Sequence, residues 1–430
     1  MNRVTGTYDV YGKYSKEFRI LEDKLFKIAK LYNYDYIKTP IIEKSSLYHR
    51  ENNNTTDNVE KHTYDFKDLS GEEITLRPEI NSGIARTIID NNLYNNNPLK
   101  YYYYGDVFRY DKPQKDRYRE FTQFGFEVIG SNQIIVDTDI IKLAHDIYKG
   151  LGVNDITLTI NSLGNINDIN NYRTELINYF SKYIDDMCDE CKKRIINNPL
   201  RILDCKNKKD QEIINNAPKL IDVMSKESRN RFERIQQLLH DRNVQFVVDD
   251  RFIRGIDYQN DTIFEITSND KSLGSNNNLC GGGRYDNLYS HLFKRDIPAI
   301  GFDFGLERLI KVINSQNKEL FDEEPIDIYF ICFTEEDFIY CSKICDYLRG
   351  CGLRVEYCIK DCSYKKQLKH ADKYNPLYTA FIGENERKNN LIDIRDNSNN
   401  DRKVLNINDI IKIVNTKNNE RQKVKKYGSK

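Results

Sequence analysis

The sequence contains no tryptophan, has no net charge, and has no apolar run near the roughly 18 to 20 residues that a membrane helix needs. The last absence excludes a helical membrane protein. Lys plus Arg and Asp plus Glu both total 66, so whole-chain charge makes no case for nucleic-acid binding, although a chain of 430 residues has room for a local basic track. The opening MNRVTGTYDVYGKYSKEF lacks the apolar segment of a secretion signal and the Arg/Ser-rich, acid-poor character of an organellar leader, which predicts a cytoplasmic protein. Neither GKS/GKT nor a strand-to-helix GxGxxG occurs, which removes the usual nucleotide-phosphate fingerprints. Without a secretion signal, the ten cysteines are expected to be reduced thiols. Cys188 and Cys191 with Cys205 make three quarters of a zinc site, but no fourth Cys or His follows at the usual distance, His240 and Cys280 being far along the chain. No metal is assigned to protein side chains on this basis. Missing tryptophan, abundant Asn, Lys, Ile and Tyr, and Asn runs such as Asn52 to Asn54 and Asn276 to Asn278 fit the codon bias of an AT-rich genome.

What is present is 39% hydrophobic and 31% charged, a globular composition in a chain long enough for roughly two to four domains. Phe18, Leu21, Leu25, Ile28 and Leu31 fall at helical spacing and predict an opening amphipathic helix ending near Asn33. A strand from Tyr36 to Glu43, interrupted by Pro40, and further strands at 63–66, 73–77, 100–110 and 118–129 predict a largely antiparallel sheet. From 166 to 246 the sequence turns helical and charged, which reads as an inserted module. Sheet-like sequence resumes through RFIRGIDY, TIFEI and the CGGGRYD loop. After Glu323-Glu324-Pro325, strand and helix patterns alternate as in a small α/β domain. The expected division is 1–165 and 247–322 for the main domain, 166–246 for the insertion, 323–414 for the α/β domain and 415–430 for a polar, basic, solvated tail.

Four stretches carry candidate chemistry. In the hairpin from Phe108 to Glu127, alternation puts Phe121, Gln123, Gly125 and Glu127 on one face and Thr122, Phe124, Phe126 and Val128 on the other. A half-buried sheet with solvated polar residues is the plain explanation, but a glycine between two polar residues also leaves room for a ligand. In RGIDYQ, strand alternation would place Arg254 and Tyr258 together. The glycines of Gly281-Gly282-Gly283-Arg284-Tyr285-Asp286 would permit positive φ and close approach of a ligand. In AIGFDFGLERL a strand runs into a helix with Arg308 in its first turns, suited to a polyphosphate.

FRYDKPQKDRYREFTQFGFE resembles the histidyl-tRNA synthetase form of class II motif 2, AIGFDFGLERL resembles motif 3, and TPIIE with its helix resembles motif 1. RGIDY and GGGRYD resemble the two histidine motifs of that family, and the likeness extends through TLRPE, NSLG, NPLRILDCKN and KKQLKHADK, essentially to residue 414. The resemblance implies an α+β protein: an antiparallel class II catalytic core, an inserted helical module and a C-terminal α/β anticodon-binding domain, acting as a homodimer. It also implies ATP-dependent activation of histidine to histidyl-adenylate, then transfer to tRNA(His), with Mg2+ carried on ATP. Arg254 and Arg109 would be catalytic, flanking the α-phosphate where other class II enzymes place a metal. Arg117 and Arg308 would hold the β- and γ-phosphates, with Phe121 and Arg308 enclosing adenine. Glu79, Asn81, Gln123, Glu127, Tyr258, Gln259 and Tyr285, with the two catalytic arginines, would bind histidine. Lys112, Gln114 and Lys115 would meet the tRNA acceptor end, and Lys365, Lys366 and Lys369 are candidates for tRNA phosphate contact.

Four positions depart from the family pattern. Ile80-Asn81 stands where Gly-Thr is usual, so Asn81 must offer an amide oxygen in place of a hydroxyl. Gln259 replaces the second tyrosine of the histidine motif, and Lys112 replaces an arginine. The alternative reading is a noncatalytic relative that senses histidine or regulates another enzyme. Such proteins generally lack the anticodon domain and the catalytic arginine, whereas this chain has Arg254 and an α/β C-terminal region.

Overall fold

A computed structural model describes residues 2–49, 63–95, 98–111, 117–203, 205–254, 258–274, 277–322, 324–358 and 363–427, with side chains described through Arg421. Lys112, Gln114 and Lys115 lie outside the described residues. Two compact units divide the chain, Met1–Phe321 and Asp322–Lys430. No helix among the described residues is long and apolar enough to cross a membrane.

The first unit is built on an eight-stranded sheet in the order Asp35–Tyr36, Leu99–Phe108, Glu120–Ile129, Ala299–Gly305, Asn278–Arg284, Asn260–Thr267, Thr157–Ser162, Val247–Val248. Pairing is antiparallel except at the two edges, where two-residue strands add in parallel. Phe124, Phe126, Phe302 and Phe304 point from one face into a core closed by Leu21 and Leu25 of helix Gly12–Leu31 and Ile140, Ile141 and Ala144 of helix Ile134–Gly150. Burying each such side chain contributes about 1.5–3 kcal/mol, and the period of two leaves Gln123 and Asp303 for the opposite face. The opening helix ends where expected, with Asn33 at φ 55°, yet Leu31 is 79% exposed and takes no part in this core.

The structure corrects three elements. The single strand expected from Tyr36 to Glu43 is two, Asp35–Tyr36 in the large sheet and Ile42–Lys44 in a separate three-stranded sheet. Proline cannot donate a ladder bond, and Pro40 lies in the crossing between them. Within RFIRGIDY the described residues 251–254 and 258 form no strand, and 255–257 lie outside the described residues. The GGG segment is not a loop but the strand Asn278–Arg284, paired on both sides within the sheet.

The helical stretch divides in two. Tyr172, Leu176, Phe180, Cys191, Ile195, Ile202 and Ile214 form a second, smaller core that also takes in Leu163, Ile253 and Ile263 from outside the insertion. Helix Lys226–Asp241 instead contributes Phe232, Ile235 and Leu239 to the main core. Cys188, Cys191 and Cys205 come together, and the fourth side chain beside them is Asp210, a carboxylate in place of the expected Cys or His.

The second unit holds a five-stranded sheet, Val355–Tyr357, Ile328–Cys332, Tyr378–Ile382, Ile392–Asp396, Arg402–Leu405, parallel in its first three strands and antiparallel thereafter. Lys365, Lys366 and Lys369 are exposed on helix Tyr364–Asp372, while Gln367 turns inward and bonds both the N–H and the carbonyl of Cys332. A helix runs from Ile407 to Tyr427, so residues 415–427 of the expected tail are helical.

Candidate active site

A cavity of about 510 Å³ lies against the four central strands of the large sheet, within the range of small-molecule sites. Glu79, Asn81, Arg109, Arg117, Phe121, Gln123, Arg254, Tyr258, Gln259, Tyr285 and Arg308 all line it. Glu127 is fully buried and does not line the open cavity, but the hydroxyl of Tyr285 donates to its Oε2 at 2.5 Å. Its other oxygen, Oε1, is buried without a hydrogen-bond partner among the described residues. Burial pushes the Glu127 carboxyl well above the ordinary carboxylate range, against the pull of the Tyr285 bond. Such an acceptor is costly to leave unsatisfied, and an N–H donor would satisfy it.

The acid of TLRPE is held at both oxygens: Ser82 Oγ donates to Glu79 Oε1, and Tyr258 Oη to Oε2 at 2.6 Å. Tyr258 therefore serves a carboxylate in this structure. Gln123 donates through Nε2 to Asp303 Oδ1 at 2.8 Å, leaving its buried Oε1 without a partner among the described residues. The amide oxygen expected of Asn81 is engaged, accepting from Tyr103 Oη at 2.9 Å. Gln259, 5% exposed, has an Oε1 with no partner among the described residues.

The glycines make room for the protein itself. A Cβ on Gly125 would sit 2.2 Å from the Tyr103 ring, so the gap read as ligand space is filled by that buried tyrosine. A Cβ on Gly281 would sit 2.1 Å from Arg254 Nη2, so this glycine admits the guanidinium that an irregular segment brings across the sheet. Arg109 donates through Nε to Pro78 O at 2.8 Å, and its guanidinium carbon lies 5.2 Å from the centroid of Phe121. The cation covering that ring is thus Arg109. Arg308, in the first turn of helix Leu306–Gln316, donates to Asn278 O at 2.5 Å, and Arg117 pairs with Asp111 at 2.6 Å.

Two acids escaped the sequence reading. Asp303 lines the cavity; burial raises its carboxyl, while Arg254 and Arg109 pull it down. Glu307 accepts from Tyr8 Oη and from Thr122 N, and burial pushes its carboxyl up to about 7. The signal for Asp303 was present: in AIGFDFG, Gly301, Asp303 and Gly305 alternate with two core phenylalanines.

A family model described as histidyl-tRNA synthetase matches residues 6–309, on which every cavity residue falls. The chain belongs to the histidyl-tRNA synthetase family. A second model, described as anticodon binding domain, matches residues 327–417. Among relatives of the family, the histidine–tRNA ligases of Anoxybacillus flavithermus and Staphylococcus haemolyticus are each 37% identical, over 91% and 96% of this chain and 93% and 99% of theirs. The crystal structure of apo S. aureus histidyl-tRNA synthetase matches with a TM-score of 0.81 at 29% identity, covering 96% of this chain and 99% of that one.

Proposed function

We infer that the chain is a histidine–tRNA ligase, which activates histidine with ATP and transfers it to tRNA(His). The observation that carries this reading is the buried Glu127, one oxygen held by Tyr285 and the other unpartnered, beneath a cavity walled by Arg109, Arg254 and Arg308. An N–H donor such as imidazole reaching that oxygen would satisfy it and favour the ionised carboxylate. The arginines suit a triphosphate because they are permanently charged and bidentate. Since Glu127 is fully buried, side chains around Tyr285 must part for the imidazole to reach it.

In activation, a carboxylate oxygen of histidine attacks the α-phosphorus, the bond to the β-phosphate oxygen breaks, and pyrophosphate leaves with the electron pair. No protein base is required, because the histidine carboxylate is already ionised. Arg109 and Arg254 stabilise the charge developing at the α-phosphate, with Asp303 orienting both, and Arg117 and Arg308 hold the β- and γ-phosphates. Phe121 stacks on adenine, and Mg2+ arrives with ATP. Glu79 and the free Oε1 of Gln123 accept from the α-ammonium group, while Asn81 lends its amide oxygen only in competition with Tyr103. Tyr258 steadies Glu79, and Gln259 lies beside the imidazole.

The terminal ribose hydroxyl of the tRNA then attacks the acyl carbon and adenosine monophosphate leaves. Lys112, Gln114 and Lys115 contact the acceptor end, and Lys365, Lys366 and Lys369 contact tRNA phosphates. The chain acts as a cytoplasmic homodimer through the motif 1 helix and strand; exposed Leu31, Ile41 and Ile42 offer apolar surface for that contact. Histidine-dependent exchange of pyrophosphate into ATP is the test. A pure, folded protein that gives no exchange would refute the enzyme, and equal stimulation by another amino acid would refute the specificity.

A further inference from the structure

The inserted module brings four metal-binding groups to one point. Cys188 and Cys191 flank the start of helix Asp189–Asn197, Cys205 follows the short turn Pro199–Ile202, and Asp210 lies in the first turn of helix Lys208–Asn215. The linear pattern is C-x2-C-x13-C-x4-D. One ligand atom from each lies within 4.8 Å of all the others. Cys188 Sγ and Cys205 Sγ are 4.0 Å apart, and Cys205 Sγ is 3.4 Å from Asp210 Oδ2. A tetrahedral zinc ion with Zn–S bonds of about 2.3 Å separates its sulfurs by about 3.8 Å, which these spacings approach. The same 4.0 Å is twice the length of a disulfide.

The surroundings also fit a metal. Asp210 is fully buried, and among the described residues no Lys, Arg or His pairs with it. A buried carboxylate facing thiols lacks a countercharge, which a divalent cation would supply. Its Oδ1 is fixed by the N–H of Cys188 at 3.1 Å, leaving Oδ2 toward the cysteines as a single ligand atom. The N–H of Asn207 points at Cys205 Sγ at 3.5 Å, the outer-shell bond that favours a thiolate.

We propose that Cys188, Cys191, Cys205 and Asp210 form a structural zinc site that staples the inserted module. Binding releases the thiol protons to solvent and leaves no open coordination position, so the ion takes no chemical step. The staple ties two helix starts on either side of the Asn198–Arg201 turn. That turn lines a small cavity together with Arg254 and Gln259, so the ion would hold a wall beside the activation site.

The test uses the full chain, made without a polyhistidine tag, reduced, and passed into metal-free buffer. Elemental analysis should find about one zinc per chain, and the pair Cys188→Ser with Cys205→Ser should lower it at least about tenfold. Asp210→Asn should weaken zinc retention against a chromophoric chelator by roughly 10- to 100-fold. If the cysteine variants do not fold, the wild-type chain stripped of zinc and given Co2+ should develop thiolate-to-cobalt charge-transfer absorption. Folded, reduced wild-type protein with no stoichiometric zinc and no such absorption overturns the site. So does zinc that stays at full occupancy in the folded double cysteine variant.

Discussion

Two clusters of buried charge meet at neighbouring residues, Arg284 and Tyr285, and they are built to opposite rules. On one side Arg284, fully buried, donates to both oxygens of Asp137, at 2.9 and 2.6 Å, and to the carbonyl of Ser131. Arg231 bridges Asp137 to Asp261, and Thr262 adds a bond of 2.7 Å to Asp137. This network closes on itself across helices Ile134–Gly150 and Lys226–Asp241 and two strands. On the other side Tyr285 reaches Glu127, and there Glu127, Gln123 and Gln259 each retain a buried oxygen without a partner among the described residues. Buried polar groups that satisfy one another hold a fold together; groups left short of donors are set for a ligand. The comparison therefore separates residues whose loss should unfold the chain from residues whose loss should silence it.

The sharpest separation is Arg254→Ala. Pyrophosphate exchange should fall about 10³-fold, as when a preorganised transition-state donor is removed, with the thermal midpoint little changed. Retained exchange would remove Arg254 from the chemistry. Asp137→Ala should do the reverse, costing about 3–5 kcal/mol by leaving Arg284 and Arg231 buried without their carboxylate. Denaturant unfolding measures this loss, and the folded fraction should keep its KM for histidine. A wild-type denaturation curve from that variant would show that the closed network does not stabilise the fold.

Glu307 tests the rule by pH. Its carboxyl keeps its proton up to about 7 in the fold but ionises near its ordinary value of 4.5 when unfolded. The unfolded chain therefore gains from ionisation as pH rises between those values, and the wild type loses stability across that window. Glu307→Gln, which still accepts from Thr122 and Tyr8, should be the more stable protein at pH 8 by on the order of 1–3 kcal/mol, with the gap closing by pH 4. A gap independent of pH would reject the assignment. The smallest effect is expected from Gln259→Tyr. Replacing a buried amide with an unpartnered oxygen by the family's usual ring should lower the KM for histidine by roughly 3- to 10-fold, about a kilocalorie of binding. A raised KM would mean that Gln259 already pairs with the substrate.

Much of the site was legible because it lies on regular strands. Phe124 and Phe126 demand the core, so Gln123 and Glu127 had to face away from it, and the same alternation in AIGFDFG exposes Asp303 to the cavity. RFIRGIDY misled, because Arg254 crosses the sheet from a segment with no strand geometry and period two says nothing about it. The insertion misled differently. Its helices share one amphipathic pattern, yet Phe232 and Leu239 pack in the main core while Leu176 and Ile195 pack in a second cluster with Leu163, Ile253 and Ile263.

By itself the sequence determined the kind of elements, the family and most of the groups offered to a substrate, since periodicity and motif identity are local along the chain. Only the tertiary structure decided what each group meets. It put the Tyr103 ring over Gly125, let Arg254 into the space beside Gly281, turned Tyr258 onto Glu79, left one oxygen of Glu127 unpaired, and brought Asp210 to three cysteines. Tyr103 meets Gly125 through the register of one hairpin and Asp210 lies near Cys205 in the chain, while the others join segments distant in sequence or turned by an irregular loop. Packing sets such encounters, and no spacing along the chain encodes them.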